Sequence, residues 1–170
     1  TAKFDEVITE LFGAGALGFP VFSGTGANVV SLEACLGRGQ SVICAESAHI
    51  HNDEGGAPEA MAGIKLWPAP TTDGKLTPEL AAAQLGDLSF VHRAQPAAIS
   101  ISNTTELGTV YSVAEIRALA DWAHAHGLFL HLDGARVSNA AAALGTGLRE
   151  FTVDAGVDIL SLGGTKIGAL

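Results

Sequence analysis

Short apolar runs alternate with helix-like segments along the whole chain, and this alternation constrains the fold more than any other feature. Residues 41–45 and 97–102 have the composition of buried strands, whereas residues 113–125 carry apolar side chains at helical spacing. Strands that alternate with helices favour an α/β domain with a mainly parallel sheet. Further strands are predicted at 64–67, 128–132 and 157–162, an extended run at 19–22, and further helices at 4–11, 24–36 and 137–144, with one more beginning at Pro78.

Polar residues flanked by glycine come mostly just after a predicted strand. In open α/β sheets, ligands bind in the crevice beyond the carboxyl ends of the strands. The sequence therefore predicts an active site along one edge of the sheet, built from the segments that follow the strands.

Residues 23–26 join an extended run to a helix through small residues, which is the setting of a phosphate-binding turn. Free backbone N–H groups at a helix start bind phosphate, and Thr25 adds a hydroxyl group. An ordinary glycine-rich turn is the alternative. The GAGALG run at 13–18 matches a dinucleotide fingerprint in letters only, since it follows a helix rather than a strand, so we interpret it as a flexible turn.

A polar cluster of His49, His51, Asp53 and Glu54 follows the strand predicted at 41–45. Two histidines separated by one residue can bind a metal. A histidine after a strand can also stack on a flat ligand or transfer protons. Because the same residues can equally form a polar surface, the sequence leaves these three interpretations open.

Three further candidates follow the last two predicted strands. Asp133 ends a strand, where a carboxylate can hold a protonated ring nitrogen or a metal. Arg136 can bind a carboxylate through two hydrogen bonds, although an ion pair with Asp133 that caps the next helix explains it as well. Lys166 stands near glycines after a strand, and desolvation there would favour Schiff-base chemistry. A solvated loop lysine is the alternative.

Taken together, these elements favour one kind of site. A phosphate-binding turn, a ring-stacking histidine, a carboxylate for a ring nitrogen and a Schiff-base lysine are the parts of a pyridoxal phosphate site. They occur in chain order, each after a predicted strand. Asp133 and Lys166 are separated by about one strand–helix–strand unit, which suits neighbouring strands of a parallel sheet.

Composition narrows the partners and the compartment. The chain has nine Lys+Arg against eighteen Asp+Glu, a formal charge of −9, and so lacks the basic surface that nucleic-acid binding requires. It has no apolar stretch of the ~18–20 residues needed to cross a bilayer, and no signal-peptide pattern at its beginning. Cys35 and Cys44 show no metal or redox spacing and fit a reducing compartment. We therefore expect a cytoplasmic protein that binds neither nucleic acid nor membrane.

Two motifs at a fixed interval, HLDGAR at 131–136 and GGTK at 163–166, are highly specific. With them, the sequence resembles the threonine aldolase/β-eliminating lyase family of fold-type I pyridoxal phosphate enzymes over nearly the whole chain. Other matching stretches are GTGAN at 24–28, ICAESAHIHNDEGGAPE at 43–59, DGKLTPE at 73–79, ISISNTTELGTVYSVAEIRALA at 99–120, LHLDGARVSNAAAALG at 130–145 and AGVDILSLGGTKIG at 155–168.

The resemblance implies a three-layer α/β/α sandwich with a mainly parallel sheet, the large domain of the fold-type I enzymes, over residues 1–170. It implies pyridoxal 5′-phosphate as the cofactor and no metal. The implied roles are phosphate binding by Gly24, Thr25 and Gly26, ring stacking and assistance to the base chemistry by His49, pairing with the ring nitrogen by Asp133, contact with the substrate carboxylate or the ring hydroxyl region by Arg136, and the Schiff base by Lys166.

The activity implied is retro-aldol cleavage of the Cα–Cβ bond of a β-hydroxy-α-amino acid, such as threonine, allo-threonine or phenylserine, to glycine and an aldehyde. A β-eliminating lyase on the same scaffold is the nearest alternative. A metal-dependent hydrolase using His49, His51 and Asp133 is a second, and a non-catalytic binding fragment is a third. Two positions depart from the family pattern: Thr105 stands where many members have His, and Ile167 where Asn is usual.

Only 16% of the residues are charged, against about 25% in typical soluble domains. This low share favours burial against partners or membership of a larger protein. The resemblance implies both: a homodimer or homotetramer, and a chain without the family's N-terminal segment and C-terminal small domain, inactive by itself. We expect exposed apolar surface along the sheet edge formed by the last strand, and where the N-terminal segment and the small domain would make contact.

Overall fold

A five-stranded parallel sheet forms the centre of the computed structural model, which describes residues 1–86, 88 and 90–168. The strand order is β2-β1-β3-β4-β5, and every neighbouring pair is parallel. The carboxyl ends of all five strands therefore lie at one edge of the sheet, as the sequence predicts. The strands are β1 (Ser41–Ala45), β2 (Lys65–Ala69), β3 (Pro96–Ser102), β4 (Phe129–Gly134) and β5 (Ile159–Leu162).

Helices connect the strands, and local sequence signals mark where they begin. Thr77 caps the helix that starts at Pro78, as predicted, and Ser112 and Glu115 form a reciprocal capping box at the next one. The helices are α1 (Ala2–Phe12), α2 (Gly24–Cys35), α3 (His49–Asn52), α4 (Ala57–Ala62), α5 (Pro78–Leu85), α6 (Val113–Ala125) and α7 (Val137–Leu144), with 3₁₀ turns at Val153–Ala155 and Thr165–Ile167.

Side chains of β1 alternate between two hydrophobic cores, one on each face of the sheet. Val42 and Cys44 pack in a core with Leu32 of α2, whereas Ile43 packs in the other core with Ile116 of α6. Successive strand residues point to opposite faces, so helices cover both faces. The prediction of a three-layer α/β domain with a mainly parallel sheet is confirmed, and none of the helices in the described ranges is long and apolar enough to cross a membrane.

Two local expectations differ from the structure. Residues 19–22 form no strand and lie outside the five-stranded sheet of the described residues. The residues after β1 form the two short helices α3 and α4, which the polar pattern did not predict. Gly56 and Gly63, with φ of 71° and 67°, bracket α4 in the left-handed conformation that glycine adopts readily. The run at 13–18 lies in turn and irregular structure, as expected.

Apolar exposure is modest along the edge strand β5 and larger in the segment before α2. The expectation about contacts with the family's N-terminal segment and small domain stays a prediction. Leu162 of β5 is about half exposed, whereas Leu17, Phe19 and Phe22 are 78% exposed or more. Gly18 allows the segment to cross α1 closely, since a side chain there would meet Phe4. Its apolar neighbours are thereby left on the surface.

Candidate active site

The carboxyl edge of the sheet brings Asp133 next to α2 and to the end of β5. Asp133 is the fifth residue of β4 and lies beside Ser161 of β5 in the strand register. Its carboxylate is almost fully buried, and its Oδ1 accepts a hydrogen bond from the backbone N–H of Ala135 at 3.0 Å. The Asp133 carboxylate is therefore held in place by a backbone N–H group two residues further along the chain.

Asn28 connects two buried carboxylates across the site. Its Nδ2 donates to Asp133 Oδ2 at 3.0 Å and to Glu54 Oε1 at 2.7 Å. Asn28 belongs to α2, one turn after Gly24, so it lies on the same helix face as the first turn. Gly24, at the start of α2, therefore lies about 6 Å along the helix axis from Asn28, the residue that contacts Asp133.

His49 is the first residue of α3, and Glu54 fixes its ring. His49 Nδ1 lies 2.8 Å from Glu54 Oε1, and the Glu54 side chain is fully buried. Because a carboxylate accepts here, Nδ1 carries the proton and Nε2 is left for other contacts. Among the described residues, Glu54 Oε2 and Asn28 Oδ1 are buried without a hydrogen-bond partner. The site therefore holds polar atoms that a bound group could pair with.

The first turn of α2 has the form of an anion-binding turn. Ser23 Oγ accepts a hydrogen bond from the N–H of Gly26 at 3.0 Å, which leaves the N–H groups of Gly24 and Thr25 outside the helical ladder. A Cβ placed on Gly24 would meet nothing within 4 Å. Gly24, the first of the predicted phosphate-binding residues, therefore borders open space at a helix N-terminus.

Lys166 lies in the 3₁₀ turn after β5 and is exposed. The chain leading to it packs closely on the chain that follows Asp133. Gly163 N–H donates to Gly134 O at 3.2 Å, and a Cβ on Gly163 would lie 2.9 Å from the Ala135 Cα. Within the described ranges, no hydrogen bond or ion pair joins Lys166 to His49 or Asp133, so the structure brings the Lys166 segment to the site edge without a direct contact.

Arg136 pairs with Glu106 rather than with Asp133. Its Nη1 and Nη2 donate to the two Glu106 carboxylate oxygens at 2.8 Å and 3.1 Å. This hydrogen-bonded carboxylate raises the pKa of Arg136 above its ordinary value. The interpretation of Arg136 as a local partner of Asp133 is therefore wrong for this structure. Thr105, next to Glu106, is buried, and its hydroxyl pairs with that of Thr109 at 2.7 Å within the same loop.

His131 forms a buried polar centre beneath the site. Its Nδ1 lies 2.8 Å from Ser100 Oγ on β3, and its Nε2 lies 3.0 Å from Ser161 Oγ on β5. Ser161 Oγ in turn lies 3.4 Å from Ser31 Oγ on α2. Burial lowers the pKa of His131 to about 4, against an opposing effect of Asp133. A neutral His131 on β4 therefore connects to β3 and β5 directly, and to α2 through Ser161.

The residues that could bind a metal in the structure differ from those that the sequence suggested. Nitrogen and oxygen atoms of His49, Glu54 and Asp133 lie within 4.8 Å of one another, whereas His51 is exposed and outside this group. The Asn28 amide already donates between the two carboxylates. A cation would have to replace that donor, because an N–H group and a metal compete for the same lone pairs.

Comparison with known proteins identifies the family of this chain. A family described as beta-eliminating lyase matches residues 1–170. The chain belongs to the beta-eliminating lyase family. The low specificity L-threonine aldolase of Pseudomonas aeruginosa is 42% identical over 173 residues, covering 99% of this chain and 49% of that relative. The enzyme of the same name from a Pseudomonas species is 40% identical over 169 residues, with coverages of 99% and 49%.

This beta-eliminating lyase family member spans about half the length of those relatives. Among solved structures, the threonine aldolase of Leishmania major matches with a TM-score of 0.86 and 31% identity, over 94% of this chain and 46% of that chain. An aminotransferase from Mycobacterium tuberculosis matches with a TM-score of 0.54 and 16% identity, over 79% and 35%, and supports the fold alone. The family resemblance and the predicted fold class are thus confirmed.

Four residues at the site of this family member received no role from the sequence. His131 carried a signal, since it is a polar residue inside an otherwise apolar strand. Asn28 carried a weaker one, its i+4 spacing from Gly24. Glu54 stood unassigned in the polar cluster. Nothing in the sequence pairs Glu106 with Arg136, because that contact depends on how the β3–α6 loop folds.

Proposed function

We propose that the full-length protein containing this chain is a pyridoxal 5′-phosphate-dependent lyase that cleaves the Cα–Cβ bond of β-hydroxy-α-amino acids to glycine and an aldehyde. The observation that carries this proposal is the Asn28–Asp133 hydrogen bond, which joins a buried carboxylate to the α2 residue one helical turn after Gly24. A cofactor with a phosphate at one end and a basic ring nitrogen at the other matches the polarity of these two groups.

The residues present fit this cofactor. The open space at Gly24 leaves room for a phosphate against free N–H groups. The buried Asp133 carboxylate suits a protonated ring nitrogen, because a cation there would offset the cost of burying an anion. The unpaired Asn28 Oδ1 and Glu54 Oε2 are further acceptors beside it.

Each residue then has a chemical task. Gly24, Thr25 and Gly26 bind the phosphate, and Asp133 keeps a proton on the ring nitrogen. His49, oriented by Glu54, covers the ring face and can accept a proton at Nε2. Arg136 binds the substrate carboxylate, and the amine of Lys166 attaches the cofactor. When bound, the cofactor withdraws electrons from the substrate bond that breaks.

A β-eliminating lyase on the same scaffold is the nearest alternative, and product analysis distinguishes the two. With purified full-length protein and threonine or phenylserine, retro-aldol cleavage releases glycine and an aldehyde, whereas β-elimination releases ammonia and a keto acid. Lys166→Ala should abolish either reaction, and the exposed Lys3→Ala variant is the control. Ammonia with keto acid as the main products would overturn the aldolase assignment.

The cluster of His49, Glu54 and Asp133 favours a metal-dependent hydrolase as the second candidate. Elemental analysis of purified protein tests it directly. Less than about one metal ion per ten chains, with unchanged activity after chelation, would exclude a metal that the reaction needs. Stoichiometric zinc or another divalent metal, lost together with activity, would favour the hydrolase.

We further propose that the full-length protein is a cytoplasmic homo-oligomer. The exposed Leu17, Phe19 and Phe22 support burial against a second copy in a homodimer or homotetramer. The free thiols Cys35 and Cys44 and the charge of −9 support a cytoplasmic protein without nucleic-acid partners. The chain would be the cofactor-binding large domain. Light scattering of the full-length protein measures the assembly, and a monomer would contradict it.

A further inference from the structure

The guanidinium group of Arg136 is already bound by a carboxylate of the protein itself. Both terminal nitrogens donate to Glu106, at 2.8 Å and 3.1 Å, one to each oxygen. This is the two-bond geometry in which arginine also recognises the carboxylate of a ligand. Glu106 and a ligand carboxylate would therefore compete for the same two donors.

The turn that carries Glu106 is held without its side chain. Gly108 N–H donates to Thr105 O at 3.0 Å, and Thr109 N–H donates to Thr105 Oγ1 at 3.2 Å. The Thr109 hydroxyl also donates to Asp73 O at 2.6 Å. Because none of these bonds involves the Glu106 carboxylate, the carboxylate can leave Arg136 while the turn keeps its shape.

Charge at the site opposes binding of a ligand carboxylate beside Glu106. Glu54 and Asp133 are buried carboxylates of the same edge, and Asp133 acts on Arg136 electrostatically together with Glu106. A second carboxylate on the single Arg136 guanidinium would add like charge at short distance. Displacement of Glu106 avoids this repulsion, and its partly exposed side chain has access to solvent.

We propose that Glu106 is an internal ligand of Arg136 that the α-carboxylate of the amino-acid substrate displaces. Glu106 then sets the affinity for the substrate without taking part in bond cleavage. This inference rests on the proposed function, because it takes Arg136 as the carboxylate-binding residue. Removal of the Glu106 charge should therefore tighten substrate binding, whereas removal of a residue that positions Arg136 would weaken it.

The test uses the cofactor-loaded full-length protein and two probes, glycine and ethanolamine, of which only glycine has a carboxylate. Spectrophotometric titration should give a glycine Kd that is roughly three- to tenfold lower in Glu106→Gln, the range for release of a partly exposed ion pair. The ethanolamine Kd should stay unchanged. Glu106→Asp, which keeps the charge, should resemble the wild type. Glu33→Gln removes an exposed charge further along α2 and is the matched control.

A second arm does not need the cofactor. Phenylglyoxal modifies accessible guanidinium groups, and peptide mass mapping of cofactor-free protein reports the rate at Arg136. That rate should rise in Glu106→Gln, and glycine should protect Arg136 at lower concentration than in the wild type. If the cofactor does not bind but this result holds, the proposed function fails while the competition stands. A glycine Kd that is unchanged or higher in Glu106→Gln, or unchanged protection, overturns the inference.

Discussion

The amide of Asn28 donates a 3.0 Å hydrogen bond to the carboxylate of Asp133, which lies 105 positions further along the chain. This bond fastens the first turns of α2 to the carboxyl end of β4. It therefore fixes the predicted phosphate-binding turn relative to the predicted partner of the ring nitrogen. The same amide also donates to a second buried carboxylate, that of Glu54, so one side chain organises the polar part of the site.

Replacement of Asn28 by Ala should destabilise the cofactor-free protein and weaken cofactor binding. The change leaves two buried carboxylates without their shared donor, which costs about 1–3 kcal/mol in the free energy of unfolding. Urea unfolding measures this loss. Asn139→Ala, at an exposed position of α7, is the control and should change stability by less than about 0.5 kcal/mol. Equal effects of the two substitutions would contradict the role of Asn28.

Gly24→Ala separates cofactor binding from folding. An added Cβ meets nothing within 4 Å, and alanine favours a helix by up to about 1 kcal/mol, so the cofactor-free protein should be as stable or more stable. The same methyl group would occupy space that the phosphate needs, and cofactor affinity should fall by roughly tenfold or more. Fluorescence titration with pyridoxal 5′-phosphate measures the affinity.

The control for this variant is Gly15→Ala, which also enters open space but lies in the turn at 13–18. Its cofactor affinity should equal that of the wild type. Unchanged affinity in Gly24→Ala would remove the first turn of α2 from the phosphate site.

The sequence predicted the centre of the sheet well because the strands β1, β3 and β4 are buried on both faces. Residues 41–45 form β1 as predicted, and Asp133 stands at the end of β4, since continuous apolar runs identify strands of this kind. Local caps also placed α5 and α6 correctly. These elements depend on neighbouring residues in the chain, which is why the sequence alone suffices for them.

The contacts that join distant segments could not be predicted in this way. The bond of Asn28 to Asp133 and the pairing of Arg136 with Glu106 arise only when separate loops meet at the sheet edge. The exposure of Lys166 similarly depends on how the turn after β5 packs. Spacing along the chain indicates which residue types reach the edge, but not which partner each of them finds.

His131 should make stability depend on pH in a defined window. Burial lowers its pKa from 6.5 to about 4 in the folded protein. Between these values the unfolded chain binds a proton that the folded chain does not, so the free energy of unfolding falls as the pH is lowered. The stabilisation is complete above about pH 6.5 and is lost progressively down to about pH 4, by about 3 kcal/mol in all.

Urea unfolding between about pH 7 and pH 4.5 measures this dependence, with His131→Gln as the comparison. The variant keeps polar atoms for Ser100 and Ser161 but has no group that titrates in the window. Its stability should therefore fall less steeply with acid than that of the wild type. Parallel curves for the two proteins would contradict a neutral buried His131.

Gly163→Ala should disturb the segment that leads to Lys166. The new Cβ would lie 2.9 Å from the Ala135 Cα, closer than packed atoms allow, and 3.2 Å from the Ala135 carbonyl oxygen, which is also tight. Overpacking of this kind costs about 1–3 kcal/mol and should displace the turn that carries Lys166. Gly147→Ala, with an ordinary contact at 3.6 Å, is the control. Cofactor loading should fall in the first variant only, and equal loading in both would contradict the close packing.

The central claim is that Lys166 attaches pyridoxal 5′-phosphate at this sheet edge, and borohydride trapping tests it most directly. The full-length protein is incubated with the cofactor, reduced, digested and mapped by mass spectrometry, with Lys166→Ala treated in parallel. A reduced cofactor adduct is expected on the peptide that contains Lys166, and none on that peptide in the variant. An adduct confined to another lysine such as Lys65 or Lys75, or no adduct at all, would contradict it.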